Sequence, residues 1–219
     1  MYREKWQEAF NEASFYKSEK NTSKYWNEVA KSGDSGLGGT DHIEILIDYL
    51  FKNQLIEPAD SILDVGCGTG DYALLFAKKC RRITTLDYAK SMIDVCKKRI
   101  DEAGLTNVSY IADDIESFNS DEKYDCVLAC LNPITYQPKI LDKLMDTAKK
   151  CVVYFSMDTS LENADKEPIY RGCNSVKYAE EYLKESGIKF DKIPYIYNYP
   201  LPDGGSKEIH FAYIIIRVQ

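Results

Sequence analysis

The chain has 219 residues with ordinary globular proportions of hydrophobic (44%) and charged (29%) residues, which suit one sizeable α/β domain with a small appendage. Its net charge of −7 disfavours tight binding to a phosphate backbone, so we expect no nucleic-acid partner. No apolar run approaches the roughly 20 residues of a membrane helix, and the seven dispersed cysteines, which form no Cys-x-x-Cys pair, favour neither a disulfide framework nor a zinc site.

The first forty residues predict a helical cap. Apolar residues at helical spacing indicate an amphipathic helix over Lys5–Glu19, and a second short helix is expected from Tyr25 to Ala30. Four glycines between Ser32 and Thr40 indicate a hinge, because no strand precedes them and no Lys-Ser/Thr pair follows, as a phosphate-binding loop would require. The aromatic residues that crowd this segment predict either a lid over a small ligand or simple packing of the helix on a sheet.

From residue 41 onward, helix and strand patterns alternate. Asp41, followed three residues later by Glu44, resembles a capping box at the start of a helix. Five short apolar runs predict strands at Ile62–Val65, Ile83–Leu86, Val108–Ala112, Cys126–Leu131 and Cys151–Phe155. Amphipathic segments predict helices between them at about Asp71–Lys79, Ser91–Ala103 and Ile140–Lys150. Apolar strands separated by amphipathic helices predict a parallel sheet that is covered on both faces.

The C-terminal third predicts a helix and a hairpin. A helix is expected between Asn174 and Gly187. Two β-rich runs, Phe190–Tyr199 and Glu208–Val218, flank a Pro/Gly-rich loop, which is typical of an antiparallel hairpin at the edge of a sheet. The stretch from Asp158 to Gly172 has no clear pattern and is a candidate wall of a ligand pocket.

The most informative stretch is Ile62–Gly70, with the sequence ILDVGCGTG. An apolar strand containing Asp64 leads into three glycines that alternate with small residues, and an amphipathic segment follows. Glycine lets the backbone take positive φ and lets a ligand approach the main chain, and the amides at the start of the next helix face that ligand. The stretch therefore predicts a site for a nucleotide derivative.

A second carboxylate narrows the choice of nucleotide derivative. Asp87 ends the second strand 21 residues after Gly66, where a carboxylate reaches a ribose diol in dinucleotide-binding folds. Gly70, however, comes one residue too early for the dinucleotide fingerprint, and Asp71 stands where that fingerprint has Gly or Ala. Acidic side chains repel a pyrophosphate, whereas a zwitterionic ligand with a sulfonium group tolerates them. The pattern therefore disfavours NAD(P).

The stretch DVGCGTG resembles motif I of the class I S-adenosylmethionine-dependent methyltransferases. Three further stretches resemble later motifs of that family, in order and at its spacing: Leu86–Tyr88 with Met92, Ala112–Ile115, and Tyr124–Leu128. The resemblance covers roughly residues 41 to 155. It implies an α/β fold with a Rossmann-like, mostly parallel sheet of seven strands, helices on both faces, an antiparallel C-terminal hairpin, and a helical cap (residues 1–40) ahead of the methyltransferase domain (residues 41–219).

The resemblance also implies S-adenosyl-L-methionine as the cofactor and a set of residues that bind it. The glycine loop would carry the methionine half, with Asp64 near its amino group, and Asp87 would take the ribose hydroxyls. The complete set is Asp64, Gly66, Cys67, Gly68, Gly70, Asp87, Tyr88, Met92, Asp114, Ile115 and Leu131. Within it, Tyr88 and Met92 would pack on the adenine, Asp114 and the Ile115 amide would bind its edge, and Leu131 would lie near the methyl group.

Plainer interpretations of some of these residues stay open. Asp113 and Asp114 also fit a solvated turn, and Met92 also fits the core of its helix. Cys67 is expected to be the small residue that the loop needs and not a nucleophile.

The methyl acceptor is less well marked. Methyl transfer from a sulfonium needs alignment and exclusion of water, and it needs a base only where the acceptor carries a proton. No catalytic residue is therefore assigned, and His42 and Asn132 are the candidates; a surface or capping role for His42 is the other interpretation, and His210 is expected on a sheet face. Asn132-Pro133 lacks the second proline and the aromatic residue of amino-methylating relatives. The candidate acceptor pocket comprises Tyr16, Tyr25, Trp26, Asn132 and Tyr136.

Taken together, these patterns predict a cytoplasmic S-adenosylmethionine-dependent methyltransferase that acts on a small molecule. We expect a monomer or homodimer with no bound metal and no nucleic-acid or membrane partner. Two alternatives remain open, namely a protein that binds S-adenosylmethionine or S-adenosylhomocysteine without transferring a methyl group, and a protein methyltransferase.

Overall fold

A computed structural model describes residues 1–12, 22–32, 37, 39–133, 137–158, 175–201 and 203–218. Within these ranges the strands are β1 (Ser61–Val65), β2 (Arg82–Leu86), β3 (Val108–Ile111), β4 (Tyr124–Cys130), β5 (Ala148–Met157), β6 (Phe190–Pro200) and β7 (Ser206–Arg217). The helices are α1 (Tyr2–Glu12), α2 (Ser23–Val29), α3 (Asp41–Lys52), α4 (Asp71–Ala77), α5 (Lys90–Glu102), α6 (Pro138–Thr147) and α7 (Ser175–Glu185), and a 3-10 turn, Ala30–Ser32, follows α2.

The strands of the described residues form one sheet in the order β3-β2-β1-β4-β5-β7-β6. Neighbouring strands from β3 to β5 run parallel, and β7 pairs antiparallel with both β5 and β6. Every residue of β1 is buried, as expected for a strand covered on both faces. The predicted Rossmann-like sheet with an antiparallel C-terminal hairpin is thus confirmed, and β6 is its edge strand.

Helices cover both faces of this sheet and create two hydrophobic cores. The first core joins α3, α4 and α5 to one face, and the second joins α1, α6 and α7 to the other. Alternate strand residues supply the two cores, so Ile62 belongs to the first and Leu63 to the second. The two helical layers hold the C-terminal ends of the central strands in fixed positions.

Several sequence-based boundaries were wrong by one or more residues. The helix predicted to reach Lys150 ends at Thr147, and Ala148 already begins β5. Ala148 is fully buried and pairs with Tyr124, and the Lys150 ammonium lies 2.6 Å from the Asp60 carboxylate. The pairing of Ala148 with Tyr124 and the ion pair between Lys150 and Asp60 therefore stabilise a strand here, although the local sequence favours a helix. Similarly, the strand predicted to reach Leu131 ends at Cys130.

The predicted capping box was also wrong. Thr40 precedes the first helical residue of α3, no side chain caps the helix, and the Ile43 amide instead donates to the Thr40 carbonyl at 2.9 Å. Asp41 and Glu44 lie in the first helical turn, where carboxylates stabilise a helix through its dipole.

Helix α1 is a structural element of the second core. Trp6 is 1% exposed, its ring lies 6.0 Å from that of Tyr182 in α7, and Arg3 forms an ion pair with Asp142 in α6. The helix begins at Tyr2 and not at Lys5, and the predicted continuation to Glu19 lies outside the described residues. For Trp6, packing on the sheet layer is therefore the correct alternative to a lid.

This packing predicts a large effect on stability. We expect Trp6→Ala to lower the free energy of unfolding by about 3 kcal/mol, because the substitution leaves a cavity between α1 and α7. Denaturant unfolding should measure the loss. Ile45→Ala is the control, since Ile45 is 48% exposed on α3 and its removal should change stability little. Equal losses in the two variants would contradict the anchoring role of Trp6.

The helices of the described ranges are all too short or too polar to cross a membrane.

Candidate functional site

A cavity of about 260 Å³ opens at the C-terminal edge of the sheet. Its walls come from the loops that follow β1, β2, β3 and β4, together with residues of α2, α3, α4 and α5. The chain leaves β1 between β2 on one side and β4 on the other, so the strand order reverses at this point. Open α/β sheets bind their ligands at such switch points.

The glycine loop after β1 forms the floor of the cavity. Gly66 has φ +67°, and a Cβ atom there would lie 1.9 Å from Nδ2 of Asn132. Gly68 has φ +53°, and a Cβ atom there would meet nothing within 4 Å. Gly66 therefore allows the Asn132 side chain to pack on the loop, while Gly68 leaves bare main chain on the cavity wall.

Gly70, predicted to contact the cofactor, is not on the cavity wall. Its φ is +88°, and a Cβ atom there would lie 2.4 Å from Sγ of Cys96. Glycine is thus needed at this position for packing against α5. Cys67, which is buried, does line the cavity.

Asp64 places a buried carboxyl group with a raised pKa on the cavity wall. The residue is 2% exposed, and its Oδ2 has no hydrogen-bond partner among the described residues. Burial, together with the nearby carboxylates of Asp87 and Asp71, raises the pKa of Asp64 to about 7, against the opposing effect of the Ala73 amide. A buried carboxyl group with an unpartnered oxygen fits a cationic ligand group.

Asp87 holds the loop in place from the end of β2. Its Oδ2 accepts a hydrogen bond from the Gly68 amide at 3.0 Å, and its Oδ1 accepts one from the Ala89 amide at 2.8 Å. Burial raises the pKa of Asp87, and the two amides oppose that rise. Since each carboxylate oxygen can accept two hydrogen bonds, capacity remains for ligand hydroxyls.

The loops after β2 and β3 and the first turn of α5 bring the predicted adenine residues together. Tyr88, Met92, Asp114 and Ile115 all line the cavity, and Trp26 joins them from α2. Met92 packs at the same time with Ala30 and Ala89, so it is both a core residue and a wall residue.

The acidic residues of the turn after β3 both form hydrogen bonds within the turn and line the cavity. The Asp114 amide donates to Oδ1 of Asp113 at 2.8 Å, and Oδ1 of Asp114 accepts from the Glu116 amide at 2.8 Å. Both carboxylates belong to this local turn, and both line the cavity.

The end of β4 supplies the opposite part of the wall. Leu131 lies in the left-handed region with φ +54°, and its amide donates to the Phe155 carbonyl at 2.8 Å. Nδ2 of Asn132 donates to the Val65 carbonyl at 3.3 Å. These bonds hold the β4 loop against the glycine loop, and both residues line the cavity.

A surface or capping role for His42 was the wrong interpretation. His42 is 4% exposed and lines the cavity from the first turn of α3, packed among the rings of Tyr72, Phe155 and Tyr195. It shares the buried face of its helix with Leu46, four residues later, and this spacing is the signal that could have revealed its burial. Tyr72, also a wall residue, was missed because its segment offered only a general helical pattern.

Of the other residues predicted to form the acceptor pocket, some line the cavity and others do not. Trp26 and Asn132 line the cavity, whereas Tyr25 is half-buried, packs its ring 5.3 Å from that of Trp26 and does not line the cavity. Tyr16 and Tyr136 lie outside the described residues, as does the stretch after Asp158. His210 is half-buried on β7, 3.8 Å from Glu208, and is not part of the cavity wall.

Comparison with known proteins agrees with this geometry. A family model described as a methyltransferase domain matches residues 62–153, which run from β1 into β5. Residues 62–153 of this chain are therefore similar to a methyltransferase domain. Both the glycine loop and the loops after β2, β3 and β4 lie inside the matched residues.

Two curated relatives match more than half of the chain. The malonyl-[acyl-carrier protein] O-methyltransferase 1 of Ilyobacter polytropus is 27% identical over 138 residues, covering 57% of this chain and 48% of the relative. The ubiquinone biosynthesis O-methyltransferase of Rickettsia prowazekii is 31% identical over 135 residues, covering 60% of this chain and 52% of the relative. The chain thus spans about half the length of these two curated relatives.

A solved structure shows the same fold. The N-methyltransferase NodS from Bradyrhizobium japonicum superposes with a TM-score of 0.59 at 16% identity, covering 84% of this chain and 98% of that chain. The shared fold therefore extends beyond residues 62–153 to most of the chain.

Proposed function

We propose that this chain is a methyltransferase that transfers the methyl group of S-adenosylmethionine to a small-molecule acceptor. The observation that carries the proposal is the buried Asp64 carboxyl group, whose Oδ2 lacks a partner among the described residues, on the same wall as the bare backbone of Gly68. The amino group of a methionine moiety is the cation that such a carboxyl group needs. The methyltransferase domain supports the same proposal.

The cavity residues divide into groups that would hold the parts of this cofactor. Asp64 and the Gly66–Gly68 loop would bind the methionine half, Asp87 the ribose hydroxyls, and Tyr88 with Met92 the adenine face. Asp114 and the Ile115 amide would bind the adenine edge, and Leu131 would lie near the methyl group. When bound, S-adenosylmethionine supplies an electrophilic methyl carbon, and the electron pair of the broken carbon–sulfur bond stays on sulfur.

The protein would contribute alignment and exclusion of water. Trp26 closes part of the wall from α2, and Oδ1 of Asn27 accepts a hydrogen bond at 2.8 Å from the Ser91 amide at the start of α5. We therefore propose residues 1–40 as a cap and residues 41–219 as the methyltransferase domain, with α2 as the part of the cap that covers the cofactor. Six buried, unpaired cysteines among the described residues suit a reducing compartment such as the cytoplasm.

Isothermal titration tests the cofactor, and product analysis tests the transfer. The protein should bind S-adenosylmethionine and S-adenosylhomocysteine and should bind NADH weakly or not at all. Release of S-adenosylhomocysteine in the presence of a metabolite library separates an enzyme from a binding protein. Absence of S-adenosylmethionine binding, or preferred NADH binding, would contradict the proposal.

Asp87 offers a sharper test of the cofactor site. We expect Asp87→Ala to weaken S-adenosylmethionine affinity by on the order of 10-fold or more, as loss of hydrogen bonds to a charged group usually does. Asp121→Ala is the matched control, because it removes the same charge from an exposed position off the cavity wall. Titration calorimetry on both variants makes the comparison, and unchanged affinity in Asp87→Ala would count against its ribose role.

A further inference from the structure

The residues of the cavity wall follow the order of the strands. Asp114 stands after β3, Asp87 after β2, Gly68 after β1 and Leu131 after β4, which are neighbours in that order in the sheet. His42 continues the series, since its ring lies 5.7 Å from that of Phe155 in β5 and 5.6 Å from that of Tyr195 in β6. His42 therefore lies at the end of the cavity opposite the proposed adenine site, beyond the position of the methyl group.

The imidazole ring of His42 is held by its faces and edges. Phe155 stacks on it at an interplanar angle of 21°, and Tyr72 meets it edge-on at 74°. No hydrogen bond joins its ring nitrogens to any residue within the described ranges, although the residue is only 4% exposed. A buried polar ring without a protein partner, on a cavity wall, is available to a ligand.

The backbone of His42 is fixed as well. The Tyr213 hydroxyl donates to the His42 carbonyl at 3.0 Å, and the Tyr72 hydroxyl lies 3.1 Å from the Tyr213 hydroxyl. Because the Tyr213 proton is used on the carbonyl, Tyr72 is the donor in the second bond. This chain of hydroxyls joins α3, β7 and α4 behind the ring and fixes where the ring stands.

The charged groups around His42 leave it neutral near pH 7. Burial lowers its pKa below the ordinary value, and Asp71 in α4 and Asp41 in α3 oppose that effect. Asp71 forms an ion pair with Arg99 at 2.6 Å, and Asp41 is exposed. Among the described residues, the other titratable groups packed on the ring are the hydroxyls of Tyr72 in α4 and Tyr195 in β6.

We propose that a ring nitrogen of His42 accepts the proton of a planar, uncharged acceptor that carries a hydroxyl group. This inference rests on the proposed function and names the acceptor class of the same site. The aromatic walls favour a flat, uncharged ring, and the carboxylate of Asp71 is already paired with Arg99. The hydroxyl becomes acidic as its oxygen bonds to carbon, the O–H electron pair stays on oxygen, and the proton passes to His42 and then to water.

Two types of methyl acceptor distinguish a catalytic base at His42 from a residue that only packs the cavity wall. Planar hydroxyl probes that are protonated at neutral pH (catechol and 2-naphthol) need a base, whereas 4-nitrothiophenol is already ionised at neutral pH and needs none. We expect His42→Gln to slow methylation of the hydroxyl probes by roughly 100-fold and to leave the thiol probe little changed. His210→Gln, the control for the second histidine, should leave both probes unaffected.

A measurement on the ligand-free protein gives a readout independent of turnover. In NMR of histidine-labelled protein, the signal that disappears in His42→Gln should titrate below the ordinary value of about 6.5 and should shift when catechol is added with S-adenosylhomocysteine. Equal loss of thiol and hydroxyl methylation would make His42 a packing residue and overturn the proposal. Protein that binds S-adenosylmethionine but methylates none of the hydroxyl probes overturns it too. Failure to bind S-adenosylmethionine at all is a different result, which would contradict the proposed function itself.

Discussion

Gly66→Ala is expected to destabilise the protein by about 2–4 kcal/mol and to abolish cofactor binding, because two costs add at this position. The backbone has φ +67°, which costs a residue with a side chain about 1–2 kcal/mol. The new Cβ would also lie 1.9 Å from Nδ2, 2.4 Å from Cγ and 2.9 Å from Cβ of Asn132. The whole Asn132 side chain would have to leave the Val65 carbonyl, so the β4 loop could not keep its place on the cavity wall.

Gly68→Ala is the matched comparison in the same loop. Gly68 has φ +53°, but an added methyl group would stand in open space, with nothing within 4 Å. Only the backbone cost of about 1–2 kcal/mol should therefore appear in denaturant unfolding. The methyl group would stand where bare main chain faces the cavity, and we expect S-adenosylmethionine affinity to fall by on the order of 10-fold. Equal stability of the two variants, or normal affinity in Gly68→Ala, would contradict this division of roles.

Local patterns were enough to predict the parts of this fold that depend on neighbours along the chain. The apolar run at Ile62–Val65 and the glycines after it are consecutive in sequence, so strand, turn and cavity floor could be predicted together. Asp87 was predictable for the same reason, because the strand–helix–strand unit fixes its distance from the first glycine. The hairpin followed from two β-rich runs on either side of a Pro/Gly loop.

Features that depend on distant residues could not be predicted. Ala148 extends a helical pattern, and only its pairing with Tyr124 makes it part of β5. The ring contacts of His42 could not be predicted, because Phe155 and Tyr195 are more than one hundred residues away in sequence. Trp6 showed a helical face but not what that face packs against.

The residues of the cavity wall could be predicted from the sequence in large part but not completely. Ten of the eleven predicted cofactor residues line it, and Gly70 is the exception because it packs against Cys96. The glycines share one motif, and only the three-dimensional surroundings distinguish the one that faces the ligand from those that allow close packing.

Asp64→Asn is expected to change stability and cofactor affinity in opposite directions. The pKa of Asp64 is about 7 in the folded protein, well above the ordinary value of an aspartate. Between about pH 4 and pH 7 the folded protein therefore keeps a proton that the unfolded chain has released, so stability falls as pH rises through this window. Asparagine keeps the shape and does not titrate. Ligand-free Asp64→Asn should therefore be more stable than wild type above pH 7, by about 2–4 kcal/mol.

Cofactor binding should reverse this order, because it supplies the cation that the buried carboxylate lacks. We expect S-adenosylmethionine affinity to be roughly 10- to 100-fold weaker in Asp64→Asn. Near pH 6, binding to wild type should release a proton as Asp64 ionises, and calorimetry in two buffers of different ionisation enthalpy measures that release. The variant should lack it, so any proton release that it retains belongs to other groups such as Asp87. A ligand-free variant that is less stable than wild type above pH 7 would mean that another cation already satisfies the Asp64 carboxylate, and the assignment of Asp64 to the methionine amino group would then be wrong.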